Sequence, residues 1–131
     1  MIPPINYLSV IAAALVGIFL GFFWYGPLFG KTWMKLVGST KESKSYAVMA
    51  LGSLLMAYVL AYTTEFAMNY TNIYGVMGGL MSGVWIWAGF VMPVKIGDRF
   101  RGGTSWKLIL LDGGYYLVSL ALMGIIVATW R

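Results

Sequence analysis

The chain has 131 residues, of which 60% are hydrophobic and only 10% are charged. A soluble domain of this length cannot bury so much apolar surface, so we expect one domain that lipid covers in part. The absence of Cys and His excludes disulfides, thiolate or imidazole metal sites and Ser–His or Cys–His nucleophiles, and we expect no metal, no cofactor and no catalytic group of these kinds. The net charge of +5 would suit nucleic acid, but the basic residues flank apolar runs, so nucleic-acid binding is not expected.

Four apolar runs, each about 20 residues long, have the length that a helix needs to cross the hydrocarbon core of a bilayer. They predict helices over residues 5–26, 46–66, 74–94 and 107–130. Helices are expected because every backbone polar group must be paired within lipid. The predicted fold class is therefore an all-α integral membrane protein, with four transmembrane helices in two hairpins and a single domain over residues 1–131.

The first run ends in the stretch GFFWYGPLFGKTWMKLVG, which changes character at Pro27. Proline lacks an N–H and fixes φ, so it marks a break or a new helix start. Beyond it, apolar and basic side chains each recur four residues apart, at Phe29, Trp33 and Val37 and at Lys31 and Lys35. The two faces predict a short helix over residues 27–38 that lies in the membrane interface.

The basic residues are distributed unevenly between the loops. Eight of the nine fall in the first and third connections, at Lys31, Lys35, Lys41, Lys44, Lys95, Arg99, Arg101 and Lys107. The second connection has none, and we expect Glu65 to end the second helix there as a solvated carboxylate. By the positive-inside rule both basic loops are cytoplasmic, and both termini then lie on the outer side of the membrane.

Asp112 is the single charge in the fourth run, about one turn inside the predicted helix. A carboxylate there is costly unless it faces protein, pairs with a cation or is protonated. One hypothesis is an anchor at the helix start, paired with Arg99, Arg101 or Lys107. The other is a proton or ligand site formed with inner-half aromatic residues, and its candidate residues are Asp112, Tyr115, Tyr116, Trp87, Trp24 and Tyr25.

Trp85 and Trp87 lie near the middle of the third run, too deep for a belt at the membrane interface. Because they are two residues apart, at most one of them faces a given cavity. Core packing and an aromatic pocket for an apolar or cationic ligand are both compatible with this position.

Small residues recur at helix-contact spacing in all four runs. The glycines predicted to pack against another helix are Gly17, Gly21, Gly75, Gly79, Gly83 and Gly124. Such stripes let helix backbones approach closely. The contacts could lie within one chain or between chains.

The stretch around Pro27 also carries a resemblance. Gly21, Trp24-Tyr25, Pro27, Phe29-Gly30-Lys31, Trp33-Met34 and Gly38 resemble the N-terminal signature of a family of small prokaryotic membrane proteins catalogued as a domain of unknown function, DUF1761. The Gly114-Tyr115-Tyr116 segment and the terminal Trp130 extend the resemblance over nearly the whole chain. The resemblance implies a four-helix architecture in a prokaryotic plasma membrane, and it supplies no catalytic role.

Three functions remain open. Abundant packing features and scarce chemistry favour a structural or accessory role, through helix contacts in a homo-oligomer or with other subunits of a larger membrane complex. The first alternative is a small transporter or channel, which would have to be oligomeric because four helices enclose little pore. The second is a membrane enzyme or a binder of a lipophilic ligand, for which only Asp112, tyrosines and hydroxyl groups could serve.

Overall fold

The computed structural model describes residues 5–37 and 46–130, and all the regular structure in these two ranges is helical. The helices are α1 (Tyr7–Phe23), α2 (Gly30–Val37), α3 (Tyr46–Thr71), α4 (Gly75–Ile86), α5 (Met92–Gly102) and α6 (Trp106–Thr129). Two π-helical segments, Trp24–Leu28 and Trp87–Val91, follow α1 and α4. Four continuous helical segments are long and apolar enough to cross a membrane: Tyr7–Leu28, Ala47–Thr71, Gly75–Gly102 and Trp106–Thr129.

The four long segments form a bundle in which α6 packs against α1, α3 and α4. Helix α3 also contacts α1 and α4, so the order around the bundle is α1, α3, α4, α6. The buried core is narrow and rich in small side chains, including Ala13, Ala14 and Ala57 beside Leu60 and Met123. Many large apolar side chains therefore remain on the outside of the bundle.

Each π-helical segment lies at a proline, since Pro27 is within the first segment and Pro93 follows the second. In a regular helix the ring of Pro27 would clash with the carbonyl group of Phe23, four residues earlier. The wider turn avoids this clash, and the N–H of Phe29 bonds to the carbonyl oxygen of Trp24, five residues back, at 2.9 Å. At the second segment the N–H of Met92 likewise bonds to the carbonyl oxygen of Trp87. Pro93 follows directly, at the start of α5.

Two helical segments are longer than the sequence predicts. Helix α3 continues to Thr71 and ends where Asn72 adopts a left-handed conformation with φ of 59°. Glu65 therefore does not end the helix, and it is buried, with 8% of its surface exposed, which corrects the expectation of a solvated end. The third segment does not end near residue 94, because the π turn lets the helix continue past Pro93 to Gly102.

The predicted interfacial helix over 27–38 is shorter in the structure. Its first residues belong to the π-helical segment, and α2 begins at Gly30. Helix α2 packs against the preceding π segment and against α6. Lys31 and Lys35 are exposed on it, while Trp33 is half-buried. Lys41, Lys44 and Gly38 lie outside the described residues.

Helices α4 and α6 approach most closely at glycines. A Cβ on Gly79 would overlap the carbonyl group of Gly124, and one on Gly124 would overlap that of Gly79. A Cβ on Gly83 would overlap the carbonyl group of Leu120. Gly75 does not share in this packing, because a Cβ there would meet nothing within 4 Å. Its φ of 72° accounts for the glycine instead, since side chains disfavour that conformation.

The two glycines of α1 face α6 and α3. A Cβ on Gly17 would overlap the methyl group of Met123 and lie 2.9 Å from the hydroxyl oxygen of Ser53. A Cβ on Gly21 would lie 3.3 Å from the hydroxyl oxygen of Tyr115. These glycines therefore leave room for side chains of neighbouring helices within the same chain.

Candidate functional site

The candidate site is centred on Asp112, in the second turn of α6. Ser105 caps this helix, because its hydroxyl oxygen accepts a hydrogen bond from the N–H of Leu108 at 3.2 Å. The Asp112 side chain points back into the bundle and is 19% exposed. Its Oδ1 accepts a hydrogen bond from the Tyr25 hydroxyl at 2.6 Å, and its Oδ2 lies 3.8 Å from the Nζ of Lys95. Both carboxylate oxygens thus have partners within the chain.

Lys95 reaches Asp112 because of the second π-helical segment. One extra residue in a helical turn rotates the following residues back by about 100°, so Lys95 falls on the same face as Trp87, roughly two turns away. That face is the one that contacts α6. The Lys95 Nζ also lies 5.5 Å from the centroid of the Tyr116 ring, in cation–π geometry.

The basic residues named as possible partners of Asp112 do not contact it. Arg101 pairs with Asp98 at 3.3 Å, and the guanidinium of Arg99 lies 5.7 Å from the Trp106 ring centroid. Lys107 is exposed. The anchor hypothesis therefore named the wrong cations, since the pairing residue is Lys95.

Two tryptophans bind the backbone on either side of Asp112. The indole N–H of Trp24 donates to the carbonyl oxygen of Leu111 at 3.1 Å. The indole N–H of Trp87 donates to the carbonyl oxygen of Gly113 at 2.7 Å. Each tryptophan begins one of the two π-helical segments, so both segments are fastened to the same turn of α6.

Gly113 and Gly114 make this approach possible. A Cβ on Gly113 would lie 2.7 Å from the sulfur of Met92, and one on Gly114 would lie 3.2 Å from the Trp24 ring. A larger residue at either position would push a flanking segment away from α6. The space beside the two glycines that follow Asp112 is thus filled by neighbouring side chains.

Three tyrosines and a tryptophan beside Asp112 contact one another edge to face. The ring centroids of Tyr25 and Tyr115 lie 5.3 Å apart, and those of Tyr115 and Tyr116 lie 5.1 Å apart. The Tyr25 ring also packs against Trp33 of α2 at 5.7 Å. The Tyr115 hydroxyl donates to the carbonyl oxygen of Gly17 at 2.8 Å, which ties α6 to α1.

The structure thus brings together all six candidate side chains, namely Asp112, Tyr115, Tyr116, Trp87, Trp24 and Tyr25. Sequence reasoning missed Lys95 and Trp33. Extending the third helix through Pro93 would have placed Lys95 at the level of Asp112, but not on the face that contacts α6, because that face depends on the π turn. No pattern in the sequence indicates that α2 folds back onto this site.

The family assignment agrees with the sequence motifs. A family model described as a protein of unknown function, DUF1761, matches residues 8–128. The chain belongs to the DUF1761 family. Both π-helical segments and Asp112 lie inside the matched range of this DUF1761 chain. No curated protein and no solved structure shows a significant match to it.

The chemistry of the DUF1761 site follows from this geometry. Within residues 5–37 and 46–130, no three acidic side chains group together in a way that could hold a metal ion. The site contains a carboxylate, an ammonium group and phenol rings, which suit the holding of a cation by charge and by aromatic faces. The indole and tyrosine hydrogen bonds fix the position of the carboxylate within the bundle.

Proposed function

We propose that this DUF1761 chain is an integral membrane protein of a prokaryotic plasma membrane, with the basic loops cytoplasmic and both termini outside. The four long apolar segments support insertion. The described cations, Lys31, Lys35, Lys95, Arg99, Arg101 and Lys107, lie on α2, α5 and the first turn of α6. These elements meet at one end of the bundle, hereafter the basic end, which supports the orientation through the positive-inside rule.

We further propose that its role is structural or accessory, exerted through helix contacts in a homo-oligomer or with other membrane subunits. The polar atoms around Asp112 support this role, because they are directed to partners in the same bundle. The side chains of Tyr25, Trp24 and Trp87 all donate hydrogen bonds to acceptors on α6. These hydrogen bonds stabilise the packing of the helices and leave the outer faces of the bundle available for association.

The exposure of Trp85 is the observation that best supports association with another subunit. It lies ten residues into α4, near the middle of its segment, and is 73% exposed. Tryptophan prefers the membrane interface, where its N–H can be hydrated, and an unpaired polar group in hydrocarbon is costly. Phe90, five residues later, is 75% exposed. A neighbouring subunit that accepts a hydrogen bond from the Trp85 indole would remove this cost.

The test is the mass of the assembly in mild detergent, measured by light scattering with correction for bound detergent. We expect a discrete oligomer that Trp85→Leu converts to a smaller species. Trp106→Leu is the matched control, because Trp106 is also exposed but packs against Phe100 at the basic end. A monomeric parent protein, or an oligomer that Trp85→Leu leaves intact, would contradict the proposed association through α4.

A further inference from the structure

Lys95 occupies the Asp112 site in the manner of a tethered ligand. Its ammonium group lies beside the Asp112 Oδ2 at 3.8 Å and faces the Tyr116 ring at 5.5 Å. A carboxylate combined with an aromatic face is the environment in which proteins recognise organic cations. The side chain of lysine is itself a primary ammonium on a four-carbon chain. The site is therefore complementary to an alkylammonium group.

The hold on Lys95 is weak enough to permit exchange. A direct charge-assisted hydrogen bond has a donor–acceptor distance of about 2.7–2.9 Å, well below the 3.8 Å found here. The Lys95 side chain is 26% exposed and Asp112 is 19% exposed, so the pair is accessible from the surface of the bundle. Lysine near a helix end can extend its ammonium to the membrane interface, where it is hydrated. Lys95 lies three residues into α5, toward the basic end.

The remaining contacts of Asp112 would persist through such an exchange. The Tyr25 hydroxyl bonds to Oδ1, on the other oxygen from Lys95. The indoles of Trp24 and Trp87 hold the neighbouring carbonyl groups and do not involve Lys95. Departure of the ammonium therefore leaves a fixed carboxylate whose Oδ2 can accept another cation at the position between Asp112 and Tyr116 that Lys95 had occupied.

We propose that Asp112 and Tyr116 form a binding site for an alkylammonium ligand, which Lys95 occupies when no ligand is bound. The ligand places its ammonium between the Asp112 Oδ2 and the Tyr116 ring, and its apolar chain lies along the helices beside lipid. Lys95 then extends to the interface, and the charge of the site is unchanged. This goes beyond a structural role, and it does not depend on association through Trp85.

The probe is hexylammonium, titrated by calorimetry into the protein in phosphatidylcholine nanodiscs, with empty nanodiscs subtracted. We expect saturable binding, at least tenfold weaker for the matched neutral ligand 1-hexanol. Asp112→Asn is expected to weaken binding at least tenfold. Lys95→Met keeps the length of the side chain and removes the competing charge, so it is expected to tighten binding at least tenfold. Lys107→Met, an exposed lysine at the same end, is expected to change nothing.

The sign of the Lys95 effect is decisive, since a lysine that contributes to a ligand site would weaken binding when removed. Binding that Lys95→Met leaves unchanged or weakens overturns the proposal, as does binding seen in Lys95→Met but not in the parent protein. Equal binding by Asp112→Asn overturns it too. If Asp112→Asn does not fold, Tyr116→Leu replaces it, with an expected loss of several-fold, and an unchanged affinity again overturns the proposal.

A further experiment distinguishes a lipid headgroup from a soluble amine as the source of the primary ammonium group. Nanodiscs containing phosphatidylethanolamine present this group on a lipid, at high local concentration. If the physiological ligand is a lipid, these nanodiscs weaken the apparent affinity for hexylammonium in the parent protein and in Lys95→Met. An unchanged affinity assigns the site to a soluble or freely diffusing amine.

Discussion

Gly79 of α4 and Gly124 of α6 lie face to face, and each occupies the space that a side chain on the other would need. The carbonyl group of each glycine overlaps the Cβ position of its partner. The two backbones are therefore in direct contact, with no side chain between them, as in closely packed membrane helices. This contact lies within one chain, so these two glycines pack inside the bundle and not between chains.

Replacing Gly79 should consequently loosen the bundle. We expect Gly79→Ala to lower the free energy of unfolding by about 1–3 kcal/mol, the usual cost of overpacking, and Gly79→Leu to lower it further. Gly52→Ala is the control, because a Cβ there meets nothing within 4 Å. It should leave stability unchanged or raise it by up to about 1 kcal/mol through helix propensity. Thermal unfolding in detergent measures both, and equal midpoints for Gly79→Leu and the parent would contradict this packing.

The hydrogen bond between Tyr25 and Asp112 predicts energetic coupling across the bundle. Tyr25→Phe removes a 2.6 Å bond to a carboxylate and should cost about 1.5–3 kcal/mol, the range for bonds to charged groups. Asp112→Asn keeps the size of the side chain but removes the charge. In a double-mutant cycle the combined change should cost less than the sum of the single changes, by about 0.5–3 kcal/mol. Strict additivity would show that the two side chains do not interact.

The two indole bonds predict a similar effect for each tryptophan. Trp24→Phe and Trp87→Phe each delete one N–H donor to a carbonyl group of α6 and should lower stability by about 0.5–1.5 kcal/mol or more. Trp85→Phe is the matched control in the same helical segment, because Trp85 faces outward. The control should be measured on the dissociated chain, since Trp85 is also the proposed contact between subunits. Comparable losses for all three variants would mean that the indole bonds contribute nothing specific.

Topology can be tested in intact cells, because the chain contains no cysteine to give background labelling. A cysteine at Tyr70, which is 89% exposed near the end of α3, should react with an impermeant thiol reagent from outside. A cysteine at Ser43, in the first basic loop, should react only after the cells are opened. Ser43 lies outside the described residues, so this half of the experiment rests on the charge pattern alone. The opposite labelling pattern would reverse the orientation.

The helical fold could be predicted from the sequence because each long segment is a continuous apolar run. Hydropathy reports length and composition, which are local properties. It does not report where a helix ends when a turn can be widened, and this is why the third segment was expected to stop near Pro93. The turn between α3 and α4 is defined by the positive φ values of Asn72 and Gly75. These residue types favour that conformation and so indicate a turn, which hydropathy does not report.

The composition of the Asp112 cluster could be predicted only in part. The aromatic residues were assigned to the same level of the bundle as Asp112 because helix length fixes depth. Which cation faces Asp112 depends on rotation about the helix axis, and the π turn changes that rotation for Lys95 without any change in hydropathy. The contact between Tyr25 and Trp33 depends on how α2 folds back, which is a tertiary property.

The pairing of Lys95 with Asp112 has a consequence for biogenesis. A single charged side chain at the centre of a helix adds about 2.5–3.5 kcal/mol to the cost of leaving the translocon for lipid, and less nearer the end. These two charges lie on the consecutive helices α5 and α6, which a short connection at Gly103–Ser105 joins. The last two segments can therefore enter the bilayer together as one hairpin, in which the charges of Lys95 and Asp112 offset each other.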